Sequence, residues 1–172
     1  MVLLVILSSF YACSSRPLPP PEWLYEKDAI QLNIKAGKNL NEHGGMPHPL
    51  HSCVYQLKDL NEFTKLAEYE DGLRELLDYR CAAFDASAAV PMDIQPGQEL
   101  TLTLDRAEGV KYVAFAAGFY DLSKDRTIRW IKIPVVTETK GFIKRKKIQK
   151  PQHLRIEIIL GAKQIHTFKG KE

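Results

Sequence analysis

No stretch of the 172-residue sequence is apolar for long enough to cross a bilayer as a permanent helix, which takes about 20 residues. The G-x-S-x-G, Walker A, G-x-G-x-x-G, H-E-x-x-H and C-x-x-C patterns are all missing, so the common hydrolase, nucleotide-binding, zinc-protease and dithiol chemistries have no local signature. Cysteine is scarce, with three residues and none at zinc-ligand spacing. A surplus of one charge sign is lacking too: 24 basic residues against 21 acidic ones give no reason to expect a nucleic-acid partner. Internal repeats are absent. What is present is an ordinary globular composition, 45% hydrophobic and 26% charged, which suits one domain with a sizeable core.

The chain opens MVLLVILSSFYACSSRPLPPPEW. Val2 to Leu7 form a short apolar run that suits the h-region of a signal peptide over residues 1–12, although no Lys or Arg precedes it. The next residues, Phe10-Tyr11-Ala12-Cys13, resemble a bacterial lipobox, in which the Cys is the point of cleavage and lipid attachment. Ala12 and Cys13 fit that pattern, while Phe10 and Tyr11 are bulkier than it usually holds. A plain signal peptide, or an N-terminal strand with an incidental Cys, is the alternative. Pro17, Pro19, Pro20 and Pro21 then forbid helix or central strand, so residues 13–27 read as an extended, lipid-bearing tether. If Cys13 carries lipid, Cys53 and Cys81 remain as an even pair in an oxidising compartment. A disulfide between them would contribute about 3–4 kcal/mol by restricting the unfolded chain. Two free, buried thiols are the other reading.

Beyond the tether, residues 28–172 read as one β domain. From Ala29, the residues Ile30, Leu32, Ile34 and Ala36 alternate with Gln31, Asn33 and Lys35, the pattern of a half-buried strand. CVYQL, residues 53–57, predicts a second strand. Residues 59–81 switch to helical spacing through Leu60, Phe63, Leu66 and Ala67, then Leu73, Leu76 and Leu77, which predicts two short helices. Asn61 and Asp71 are their expected N-caps, Glu70 and Arg74 an i,i+4 pair, and Cys81 shares the inward face of Leu73 and Leu77. AAVPMDIQ and ELTLTLD read as a hairpin turning at Pro96-Gly97, Lys111–Tyr120 and Thr127–Val135 as two central strands, and Lys140–Lys150 as a basic loop. HLRIEIILG and KQIHTF close the sheet through Gly161. About eight strands with a short helical insertion predict a mainly β fold, a two-sheet β-sandwich.

Candidate chemistry is thin. His43, His48 and His51 with Cys53 could hold zinc or copper, or line a carrier site for a small ligand, but read first as solvated loop residues. Asp121, Asp125, Arg126 and Arg129 fall at a predicted turn, where charged side chains normally sit. FIKRKKIQK, residues 142–150, could touch phosphates or anionic headgroups, though with no aromatics beyond Phe142 to stack on bases. The long irregular segment is the more informative one: Gly37, Lys38, Asn39, Leu40, Asn41, Glu42, His43, Gly44, Gly45, Met46, Pro47, His48, Pro49 and Leu50. Loops of this length in compact domains are usually functional or disordered, so it reads as a protein-binding loop built around Met46, or as a mobile connection.

The order of CVYQLKDLNEF, QPGQELTLTLD and YVAFAAGFYDLSKDRTIRWIKIPV resembles the TssJ (SciN-like) outer-membrane lipoproteins of bacterial type VI secretion systems, with VYQL followed by Asn61 and Phe63, and Arg129-Trp130, as the more specific pieces. The resemblance implies a transthyretin-like sandwich with an added helical element, a structural rather than enzymatic role, and no cofactor. It implies acyl chains on Cys13 in the periplasmic leaflet of the outer membrane, with Ser14 compatible with sorting there. It further implies that the loop between the first two strands, residues 37–50, holds the periplasmic part of the inner-membrane protein TssM.

Overall fold

The computed structural model describes residues 17–141 and 145–171. Expectations for the signal peptide, for Cys13, Ser14 and the start of the tether up to residue 16, and for residues 142–144 of the basic stretch, therefore lie outside the described residues. The strands are β1 (Glu26–Ala36), β2 (Leu50–Leu57), β3 (Ala88–Ile94), β4 (Glu99–Arg106), β5 (Tyr112–Ala117), β6 (Ile128–Lys132), β7 (Val135–Lys140), β8 (Lys146–Pro151), β9 (Leu154–Leu160) and β10 (Ile165–Lys171). Helices α1 (Asn61–Leu66) and α2 (Glu70–Leu76) follow β2, and a single turn, α3 (Lys124–Thr127), precedes β6.

One sheet runs β10-β9-β1-β4 and the other β3-β2-β5-β6, with β7-β8 as a separate two-stranded ribbon. The mainly β, two-sheet sandwich expected from the sequence is what forms. Period-two alternation explains the facing layers: Ile30, Leu32 and Ile34 of β1 and Leu154, Ile156, Ile158 and Leu160 of β9 point at Val54, Val113 and Phe115 of the second sheet. Each large aliphatic side chain taken fully out of water there contributes about 1.5–3 kcal/mol. β1 pairs antiparallel with β4 and parallel with β9, so it lies in the interior of its sheet.

The second sheet is buried on both faces, which is why β2 has no polar alternation. Its outward residues Cys53, Tyr55 and Leu57, with Ala114 and Ala116 of β5, pack under Phe63, Ala67, Leu73 and Leu76 of the helical pair. The small alanines leave room for the helices. Cys53 and Cys81 form a disulfide that ties β2 to the segment after α2. Tyr55 adds a buried hydrogen bond from its hydroxyl to the Leu76 carbonyl, and burial, with Asp78 adding to it, raises the phenol's pKa well above its ordinary value.

Several local expectations are corrected. Cys81 is not on a helical stripe; it follows α2 with φ 54°, and this turn rather than i,i+4 spacing brings it to Cys53. The N-caps are Leu60, one residue before the predicted Asn61, and Tyr69, two before the predicted Asp71, and neither caps its helix through a side chain. Asp59 instead accepts a bond from the Asn61 N–H. β3 and β4 do not form a hairpin: β3 pairs with β2 and β4 with β1, so Pro96-Gly97 marks a corner between sheets. β6 is an edge strand with Trp130 48% exposed, not a central one. In the basic segment, Lys140 ends β7 and residues 146–150 lie in β8 rather than in a loop, with Val135, Thr137 and Thr139 supplying β-branched partners across the ribbon. Leu50 is the first residue of β2.

Candidate functional site

The segment between β1 and β2 is irregular in sequence and firmly tied in structure. Leu40 is fully buried in the inter-sheet core, and Asn41 is 8% exposed. Asn41 has φ 48°, a conformation its short polar side chain tolerates, and that side chain serves both neighbours. Its Nδ2 donates to the Pro49 carbonyl at 3.1 Å, and its Oδ1 accepts from the Tyr120 N–H at 2.9 Å. The backbone is fastened as well: the Gly37 N–H donates to the Leu160 carbonyl and the Glu42 N–H to Ala162, binding the loop to the β9–β10 turn.

The tip is a miniature hairpin. His43 and Met46 exchange both backbone bonds, at 3.0 and 3.1 Å, around Gly44 and Gly45 at φ 60° and 77°. Two successive positive φ angles are the type I′ turn, and glycine adopts them without a Cβ penalty. Met46 is left 62% exposed at the apex, while the His43 ring stacks on Tyr120 with centroids 3.4 Å apart. A recess of about 180 Å³ lies beside the tip, lined by Glu42, His43, Phe119, Tyr120, Asp121 and Lys163. Lys38, Asn39, Pro47 and Pro49 lie exposed along the loop, and the His48 N–H closes back on the Leu40 carbonyl.

The three histidines do not gather. His43 lies on Tyr120, the His48 ring meets the His43 carbonyl at 3.3 Å, and His51 Nδ1 pairs with Asp93 at 2.8 Å. Among the described residues the group with converging ligand atoms is His51, Cys53 and Cys81, and the disulfide occupies both sulfurs. The charged residues at the β5–β6 turn are structural. Arg129 donates to the Asp125, Ile128 and Ile165 carbonyls, and Asp121 lies 3.9 Å from Arg126. Sequence reasoning missed Tyr120 as the loop's stacking partner, for which no local signal exists. It also missed Arg106, which has one: Leu100, Leu102, Leu104 and Arg106 recur at period two, so the arginine faces inward with the leucines.

The opposite end of β1 carries that arginine. Arg106 is 2% exposed, and its Nη2 donates to the Leu24 carbonyl at 3.1 Å and sits 2.9 Å from Glu26 Oε2. Burial favours a protonated Glu26, but the hydrogen bond from His153 and the charges of Arg106, Lys150 and His153 outweigh it and hold the carboxyl below its ordinary pKa.

The pinned loop at one end of the two-sheet sandwich is a preformed surface for contact with another molecule. The family model for the type VI secretion lipoproteins (VasD, EvfM, TssJ) matches residues 28–161, and the chain belongs to that family. It is a family of secretion-system lipoproteins, not of enzymes, and membership makes the chain a type VI secretion component of the membrane-associated class. No curated protein matches the chain in sequence. Among solved structures, the T6SS lipoprotein TssJ1 from Pseudomonas aeruginosa is similar over 89% of this chain and 98% of its own, at 20% identity and a TM-score of 0.59. Serratia marcescens Lip, a membrane-bound component of the type VI secretion system, aligns over 81% of this chain and 96% of its own, at 17% identity and a TM-score of 0.60. A chain in the structure of the T6SS protein TssM C-terminal domain from EAEC aligns over 81% of this chain and 96% of its own, at 18% identity and a TM-score of 0.56. At such identities the likeness is one of fold. Among the described residues no helix is long and apolar enough to cross a membrane.

Proposed function

We propose that the chain is a structural component of a type VI secretion membrane complex, anchored by acyl chains on Cys13 to the periplasmic face of the outer membrane. Through residues 37–50 it holds the periplasmic part of the inner-membrane protein TssM. A signal peptide read over residues 1–12 and a tether read over 13–27, whose last two residues already open β1, deliver the domain to that surface. Family membership and the membrane-complex context of its structural neighbours support the setting.

The observation that carries the loop assignment is the type I′ tip, which lifts Met46 into solvent on a backbone held by Asn41, Leu40 and the β9–β10 turn. Association loses less conformational entropy when the contacting loop is already shaped. Met46 is an adaptable apolar anchor, and the adjoining recess offers polar groups around it. Replacing Met46 by Glu leaves every hydrogen bond of the loop in place and puts a charge at the contact. Capture of the TssM periplasmic part by the full-length protein should then be lost. Undiminished capture with a normal unfolding midpoint overturns the assignment.

A further inference from the structure

A cleft of about 540 Å³ opens at the end of β1 away from the loop, between the β7–β8 ribbon and the extended segment leading into the domain. Pro19 and Pro20 form one wall, Lys140, Lys146 and Lys150 the other, and Arg106 lines the floor. Alternation along β8 puts Lys146, Ile148 and Lys150 on one face, and Lys140 stands directly across from Lys146. Like charges paired in this way across a ribbon repel one another, so the arrangement favours an anion between them. Arg106 points the same way: it is 2% exposed, and its Nε and Nη1 have no hydrogen-bond partner. Buried guanidinium nitrogens rarely go unpaired. The cleft carboxylates reach Arg106 only at Nη2, leaving its Nε and Nη1 without a partner. Glu26 is engaged by Arg106, Lys150 and His153, and Glu22 is exposed.

We infer that this cleft binds the phosphate of a net-anionic lipid headgroup in the membrane that carries the Cys13 anchor, an assignment that rests on the anchor reading above. Six residue steps separate Cys13 from Pro19, so the acyl attachment point and the cleft wall lie no more than about 20 Å apart, whatever path the chain takes. That places a cationic cleft within reach of the headgroup layer. The loop, at the other end of β1, is roughly 30 Å away and faces the partner. Lys140 and Lys146 would take the phosphate oxygens, Ile148 would meet the glycerol carbons, and Arg106 would supply field from below.

The test uses the lipidated full-length protein on vesicles of pure phosphatidylcholine or of phosphatidylcholine mixed with phosphatidylglycerol, with lysine acetylation rates read by mass spectrometry. On the anionic vesicles acetylation of Lys140 and Lys146 should slow about five-fold, the factor for one lysine held at a charged surface. Lys38 in the loop and Lys163 beside it should be unchanged. K146E should return Lys140 to its neutral-vesicle rate. Equal rates on the two vesicles, or uniform slowing of every lysine, overturn the site. Protection by inorganic phosphate alone on neutral vesicles assigns the cleft to free phosphate and overturns the lipid source. Protein that floats with neither vesicle removes the anchor and this inference with it, whereas floating protein with equal rates leaves the anchor standing.

Discussion

The loop of residues 37–50 and the β7–β8 ribbon reverse the usual association of regular structure with firm attachment. The loop has no repeating pattern, yet Leu40 and Leu50 are fully buried, and Asn41 ties two chain segments through one side chain. The ribbon has six cross-strand pairs, yet Thr137, Glu138, Thr139, Lys140, Lys146 and Lys147 are all exposed. Local hydrogen bonding makes the ribbon regular; burial in the shared core makes the loop part of the fold. The two differ in what a substitution removes.

The sharpest way to break this contrast is Leu40→Ala. It deletes a fully buried side chain from the inter-sheet core and should cost about 2–5 kcal/mol, read as a lower urea midpoint. Next is Asn41→Ala, which strands the Pro49 carbonyl and the Tyr120 N–H; it should cost about 1–3 kcal/mol and weaken TssM capture alongside Met46→Glu. A third probe uses acid. Because the Glu26 carboxyl is held below its unfolded value, its contribution is complete above the ordinary carboxylate range and disappears as pH falls through the lower folded value. Glu26→Gln should therefore flatten the acid limb of a stability-against-pH curve while leaving the neutral-to-basic limb parallel to the wild type. The smallest effect belongs to the ribbon: Lys146→Thr should shift stability by no more than about 0.5 kcal/mol, in the stabilising direction, since it relieves the opposition with Lys140. A ribbon substitution as costly as Leu40→Ala would erase the contrast.

What the sequence disclosed follows the same division. Strands with strict alternation, β1 and β9, were legible because a core on one side and solvent on the other write period two into the chain. The helical insertion was legible from Phe63, Leu73 and Leu76. The pairing partners were not: β3 and β4 are adjacent in sequence and separated by a proline-glycine corner, which looks the same whether the chain turns back or crosses to the other sheet. β7 and β8 were hidden because a strand exposed on both faces has no apolar alternation to read. In the loop, glycines and prolines marked irregularity correctly, and Gly44-Gly45 carried the turn. What made the loop a shaped surface, Asn41 reaching Tyr120 across 79 positions and His43 stacking on the same residue, depends on distant partners. Arg106 was within reach of the alternation rule and needed only its extension by one step past Leu104.

The parallel pairing of β1 with β9 sets an order of events for a chain made from its N-terminus. Gln31 and Arg155 meet across 124 positions, so one edge of the first strand stays open until almost the whole polypeptide is available. The antiparallel contact with β4 can form much earlier. A half-finished chain therefore holds an apolar strand with one flank unsatisfied, a template for pairing with another copy. Closing it late, over so long a separation, is slow. The nascent domain thus needs protection of that flank longest of all, and a C-terminal truncation that removes β9 should convert the first strand from the middle of a sheet into a sticky border.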